Sequence, residues 1–276
     1  MVAFLINIMV LERIINVKHG RKQPLLIFFL GFIVSIIALF ISYTVFKEST
    51  GLFTVVIISL VMVPFLNKMM HYEEHETEKT GENETFFQRH GDIISAYGAL
   101  FCGITIAMSL VFVLLPCDNP ENIDTCAVSQ IFDEQIKEVN LIQGHFTFGN
   151  QFLDIFANNM SVLMISFLFS FLLGTGAILI LSWNASVLSS AIGLLSKSFG
   201  GIRGMPVAIL TFIPHGFFEL TAYFIGAIAG GLISAALMRK KSYKFWYIVK
   251  DSMKLLLVSV IFLVIGAVVE TAIILV

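Results

Sequence analysis

Charge is what this sequence lacks most. Only 13% of its 276 residues are Asp, Glu, Lys or Arg, while 57% are hydrophobic; an ordinary soluble domain carries roughly a quarter charged residues. One core cannot hide that many apolar side chains, so lipid must solvate many of them. The few charges nearly cancel, 17 basic against 19 acidic for a net −2. Without clustered cations to neutralise phosphates, nucleic acid is excluded as a partner. A cleavable signal peptide is missing too. Residues 1–11 are apolar, but no basic n-region precedes them and no small-residue cleavage site follows. At about 1.5 Å per residue the stretch is too short to cross a bilayer. It reads as an interfacial helix over residues 1–24, continuing into Arg13, Lys18, Arg21 and Lys22.

What the sequence does contain is long apolar runs, with 27 Phe and 11 Met. A spanning helix needs roughly 20 mostly apolar residues. Runs at 25–46, 93–115, 158–181, 214–238 and 254–275 meet that need. Two weaker ones are 51–66, interrupted by Pro64, and 184–199, which carries Lys197. The expected fold is therefore all-α: a polytopic transmembrane helical bundle of about six to seven membrane helices, some short or broken, plus the N-terminal interfacial helix. Its parts are a first helical hairpin (25–66), a charged linker helix (67–92), a third span (93–115), an acidic loop (116–157) and a helical core (158–276).

Basic residues orient the bundle. Residues 1–24, the 67–92 linker and the 239–254 segment hold nearly all the Lys and Arg, whereas the 116–157 loop holds only Lys137. The positive-inside rule predicts a multi-pass protein of the cell membrane with the N-terminus cytoplasmic and the 116–157 loop extracytoplasmic. Seven crossings satisfy that pattern. The alternative is a re-entrant pair over 184–213, which would put Arg239–Lys244 outside. Backbone breaks are expected at Asn184 and at Gly200–Gly201, and Pro214 with Gly216 is expected to open the next span.

Three cysteines remain to be placed. Cys102 lies inside an apolar span as a small hydrophobe. Cys117 and Cys126 flank the start of the outer loop, where an oxidising compartment permits a disulfide between them; two free thiols are the alternative. That loop carries seven acidic residues, and its Val128–Gln143 stretch reads as a helix lying against the outer face.

Few residues suggest chemistry. His71-Tyr-Glu-Glu74-His75 matches the His-x-x-Glu-His pattern of inverted zinc peptidases, but it sits among Glu73, Glu76, Glu78, Lys79 and Glu82, as in a solvated juxtamembrane helix. Glu219 and Glu270 fall deep within predicted spans, where a carboxylate costs several kcal/mol unless paired or wet. His215 precedes Glu219 by four residues, so the two share a helical face and could share a proton or a cation. Asn158, Asn159 and Asn184 add intramembrane amides, giving a candidate polar site of six residues. Half-helix ends beside such groups are how many transporters build their sites. A pairing that merely ties helices together is the plainer alternative, as is simple packing for the small-residue run Gly226–Gly231. A metal set is weaker still, with His145, His215 and Glu219 as its only candidates. No cofactor is implied.

Several of these pieces form one pattern. Phe156-Ala-Asn-Asn159, Gly174-Thr-Gly-Ala177, Trp183-Asn-Ala-Ser186 and Ile192-Gly193 precede His215-Gly-Phe-Phe-Glu219 and Ala227-Ile-Ala-Gly-Gly231. Together they resemble the SpoIIM family (stage II sporulation protein M), particularly its archaeal-type members, over about residues 145–275. A looser likeness covers 1–115, through Tyr72-Glu-Glu74 and His90-Gly-Asp92. The resemblance implies that His215 and Glu219 belong to the family's signature. Bacterial members serve a membrane complex that localises peptidoglycan-degrading enzymes during engulfment of the forespore. By that likeness the chain is a non-enzymatic scaffold, with the lipid bilayer, other membrane or envelope proteins and a second copy of itself as candidate partners. A transporter or channel built on the six polar residues is the competing reading.

Overall fold

A computed structural model describes residues 22–80, 86–116, 127–144, 151–238 and 244–274. They are helical throughout, with no strand among them. We number the helices α1 (Pro24–Val45), α2 (Thr50–Thr80), α3 (Phe86–Leu114), α4 (Ala127–Gly144), α5 (Gln151–Leu173), α6 (Ala177–Ser198), α7 (Met205–Met238) and α8 (Phe245–Ile274). All but α4 are long and apolar enough to cross a membrane. Cys102, expected as a small buried hydrophobe, is instead exposed on α3, while Cys117, Cys126, His145 and residues 1–21 of the expected interfacial helix lie outside the described residues.

α7 is the axis of the bundle. Every residue from Ala222 to Ala236 is buried, because α5, α6, α8 and α2 all pack around it. Its small residues permit this closeness. A Cβ on Gly230 would meet the backbone of α5 at Phe167 O and Phe171 N, and one on Gly231 would meet Gly174 O. The run Gly226–Gly231 is thus a packing surface on which backbones nearly touch. α1 and α3 approach each other in the same way, through Gly31 against Leu100 O and Gly103 against Phe28 O. The outward stripe of α1 (Leu25, Phe29, Ile33, Ile37 and Phe40) is exposed, as a lipid-facing surface must be.

Helix boundaries depart from the sequence expectation in four places. α2 is one helix from Thr50 to Thr80, running through Pro64 and continuing into the expected linker. Its buried stripe passes from Met62, Leu66, Met69 and Met70 into Glu73, Glu74 and Thr77, so half of that acidic segment faces inward and not to solvent. Next, the run 158–181 is two helices, broken at Gly174 (φ +77°). There Thr175 Oγ1 donates to Asn67 Oδ1 of α2 at 3.1 Å. Asn184 breaks nothing; its Nδ2 donates to Ile180 O within α6 at 2.8 Å. The expected break at Gly200–Gly201 does occur, with φ of +92° and +76°. Lastly, α7 begins at Met205 and α8 at Phe245, with Pro214 inside α7. α7 is about 50 Å long at 1.5 Å per residue and α6 is a full 22 residues, so each is long enough to cross a membrane.

Alternating helices give the bundle two distinct ends. One collects α4, the turn Lys47–Ser49 and the α6–α7 junction; Lys197 there donates to Leu115 O of α3 at 2.8 Å, a snorkelling cation capping a neighbour's last carbonyls. α4 is kinked at Phe132, whose buried ring packs on Phe112 of α3. The other end collects the C-terminal half of α2, the start of α3 and the start of α8.

Candidate functional site

Asn158, Asn159, Asn184, His215, Glu219 and Glu270 all line one cavity of about 590 Å³ between α5, α6, α7 and α8. Its wall runs outward from Tyr223 and Asn184 to Ser198 and Ile274 at the helix ends, with Val139 of α4 near the rim. Asn158, Ser198 and Ile274 are exposed. On the inner side the buried stretch of α7 closes the bundle.

Hydrogen bonds order the inner wall. Tyr223 donates its hydroxyl to Asn159 Oδ1 at 2.8 Å, and Asn159 Nδ2 donates to Glu219 Oε1 at 2.6 Å. Glu270 of α8 lines the cavity beside Glu219. Gly266, one turn before Glu270 on α8, lets Glu219 in: a Cβ there would lie 2.9 Å from Glu219 Cγ. Tyr223, Asn159 and Glu219 thus form a continuous chain of hydrogen bonds between α5 and α7.

His215 lines the cavity one turn from Glu219, whose carboxyl accepts from Asn159. His215 Nδ1 is buried with no hydrogen-bond partner among the described residues, and its ring meets Phe212 edge-on at 6.2 Å. Among the described residues no group of three His, Cys, Asp or Glu is arranged to hold a metal ion. Tyr223 went unnoticed in the sequence, although it continues the His215, Glu219 spacing by one more turn.

The sequence model of the SpoIIM family, described as stage II sporulation protein M, matches residues 25–273. The chain belongs to the SpoIIM family. No curated protein and no solved structure matches it. In this SpoIIM-family chain the segments Phe156–Asn159, Trp183–Ser186 and His215–Glu219 all contribute to the cavity wall, while Gly174–Ala177 forms the α5–α6 break.

A second polar cluster in this SpoIIM-family protein lies at the opposite end. His90 of α3 bonds Glu73 Oε1 of α2 through Nδ1 and Asp251 Oδ2 of α8 through Nε2, both at 2.9 Å. Arg89 reaches the other oxygen of Asp251 at 2.8 Å and lies 5.8 Å over the Tyr247 ring. Because both His90 nitrogens face carboxylates, a doubly protonated imidazolium satisfies the geometry best. The His71–His75 motif takes no part in this cluster: both histidines are exposed, and the acids beside them turn inward. Sequence reasoning missed the cluster because its partners are 17 and 161 residues from His90.

Proposed function

We propose that this is a non-enzymatic protein of the cell membrane that binds a small solute in the cavity between α5 and α8 and passes it across. The supporting observation is the convergence of six polar groups from four helices on one cavity with an exposed rim. Groups that only glued helices together would lie at dry contacts. Polar side chains kept wet inside an apolar bundle instead suit a solute path. In this reading the N-terminus is cytoplasmic, as the basic residues near the His90 end favour, and the cavity mouth faces outside.

A scaffold for other membrane or envelope proteins, or for a second copy of the chain, is the second reading. It draws on the family resemblance, and the Tyr223–Asn159–Glu219 ties between α5 and α7 suit it, since such bonds stabilise membrane bundles by about 1 kcal/mol each. Reconstitution in proteoliposomes with a trapped pH-sensitive dye separates the two. Across a panel of polar solutes, the wild type should give solute-dependent flux that Glu219→Gln reduces at least about tenfold, the loss of one charge-assisted hydrogen bond, while remaining folded and monodisperse. Unchanged flux in that variant, or loss of partner retention in detergent without any flux in the wild type, would favour the scaffold.

A further inference from the structure

We propose that the solute is a protonated amine with an apolar body, whose ammonium group sits against the Glu219 and Glu270 carboxyls in the cavity wall; this rests on the solute-binding reading above. Charge decides the sign. The cavity wall contains two carboxyl groups and no Lys or Arg. An anion would find no counter-charge there and would meet Glu219 and Glu270 directly.

Hydrogen-bonding capacity decides the group. Asn159 is already committed on both sides, to Tyr223 and to Glu219, and Asn184 spends its Nδ2 on Ile180 O. Deep in the wall beside the two carboxyls the remaining groups include several acceptors: the oxygens of Glu219 and Glu270, the Asn184 carbonyl and the unpartnered His215 Nδ1, while Asn158 and Ser198 keep donors elsewhere in the lining. An ammonium carries three N–H donors and no acceptor, so it matches this set, whereas a quaternary ammonium would leave the acceptors unmet.

Size and wall decide the body. About 590 Å³ is far more than a bare ion needs and lies within the range of small-molecule sites. Phe101, Leu188, Leu195, Phe212 and Leu220 are among the apolar residues that make up the rest of the wall, and aromatic rings attract a nearby cation by their faces.

The test uses full-length protein in lipid nanodiscs and three probes of matched shape: phenethylammonium, phenethyl alcohol and hydrocinnamate. Binding is followed by calorimetry. The expected result is that phenethylammonium binds at least about tenfold tighter than either control and that Glu270→Gln removes the preference. Should Glu270→Gln fail to fold, Glu270→Asp keeps the charge and must keep the preference. If the alcohol or the carboxylate binds as well as the amine, the cation assignment is overturned while the solute-binding reading stands. If none of the three binds, that reading fails and the assignment fails with it.

Discussion

Replacing His90 by Ala should lower the melting temperature of the detergent-solubilised protein by about 10 °C. The imidazole sits between Glu73 and Asp251, with Glu73 and His90 each only 1% exposed. Removing it leaves two carboxylates buried at a helix junction, with Arg89 held on Asp251. Breaking a buried ion pair by deleting one partner costs about 3–5 kcal/mol, and a change of 1 kcal/mol shifts the midpoint by about 2–4 °C in a protein of this size. The same substitution at His71, exposed on the far side of α2, should move the midpoint by no more than a degree or two. Equal effects at His71 and His90, read by differential scanning fluorimetry, would show that the cluster does not join α2, α3 and α8 energetically.

The second large effect belongs to a residue with no side chain. Gly230→Val should abolish the monodisperse folded species in size-exclusion chromatography. Its Cβ would fall on Phe167 O, a backbone atom that cannot rotate away, and would lie 2.9 Å from Phe171 N and 3.0 Å from Ser170 Cβ. The only relief is to push α5 off α7, and that contact carries both the core packing and the Asn159–Glu219 bond. Overpacking of a well-filled core costs about 1–3 kcal/mol when side chains can adjust, and here they cannot. Gly91 is the control. A Cβ there meets nothing within 4 Å, so Gly91→Ala should be neutral or should stabilise α3 by up to about 1 kcal/mol through helix propensity.

These two sites show what could be seen in the chain and what could not. Apolar runs and their lengths are local properties, so the helical membrane bundle was visible in them, as was the SpoIIM pattern. Helix ends were less so. Pro64 and Pro214 look like breaks in sequence, but each sits inside a helix, because neighbouring helices can satisfy the freed backbone groups. Gly174–Gly176 sits within an unbroken apolar run, and only the backbone reveals its positive φ. The acidic residues of α2 looked solvated by composition; the register that turns Glu73 and Glu74 inward follows from Met62, Leu66, Met69 and Met70 on the same stripe. His90 gave no hint of its partners, since a pairing with Asp251 has no trace in spacing. The cavity residues could be named singly, because a carboxylate or amide inside an apolar run stands out, but their meeting depends on how α5, α6, α7 and α8 pack. Tyr223 was hidden by its own chemistry: an aromatic ring in a run of aromatic residues draws no notice until its hydroxyl is seen on Asn159.

Whether the cavity is wet and reached from the α4 end is the point on which the functional account stands. Asn184 lies deep in it, about 20 Å along α6 from Ser198 at 1.5 Å per residue. The direct measurement makes the substitution Asn184→Cys in a chain otherwise free of cysteine, with Cys102, Cys117 and Cys126 replaced by Ala or Ser. A small, membrane-impermeant thiol reagent is then added to one side of oriented vesicles at a time. The account predicts rapid labelling from the side that carries α4, slow labelling from the other, and protection by phenethylammonium. If the Asn184→Cys thiol stays unreactive from both sides, while that of Ser198→Cys reacts readily, the polar groups meet at a dry helix contact and the solute path is refuted.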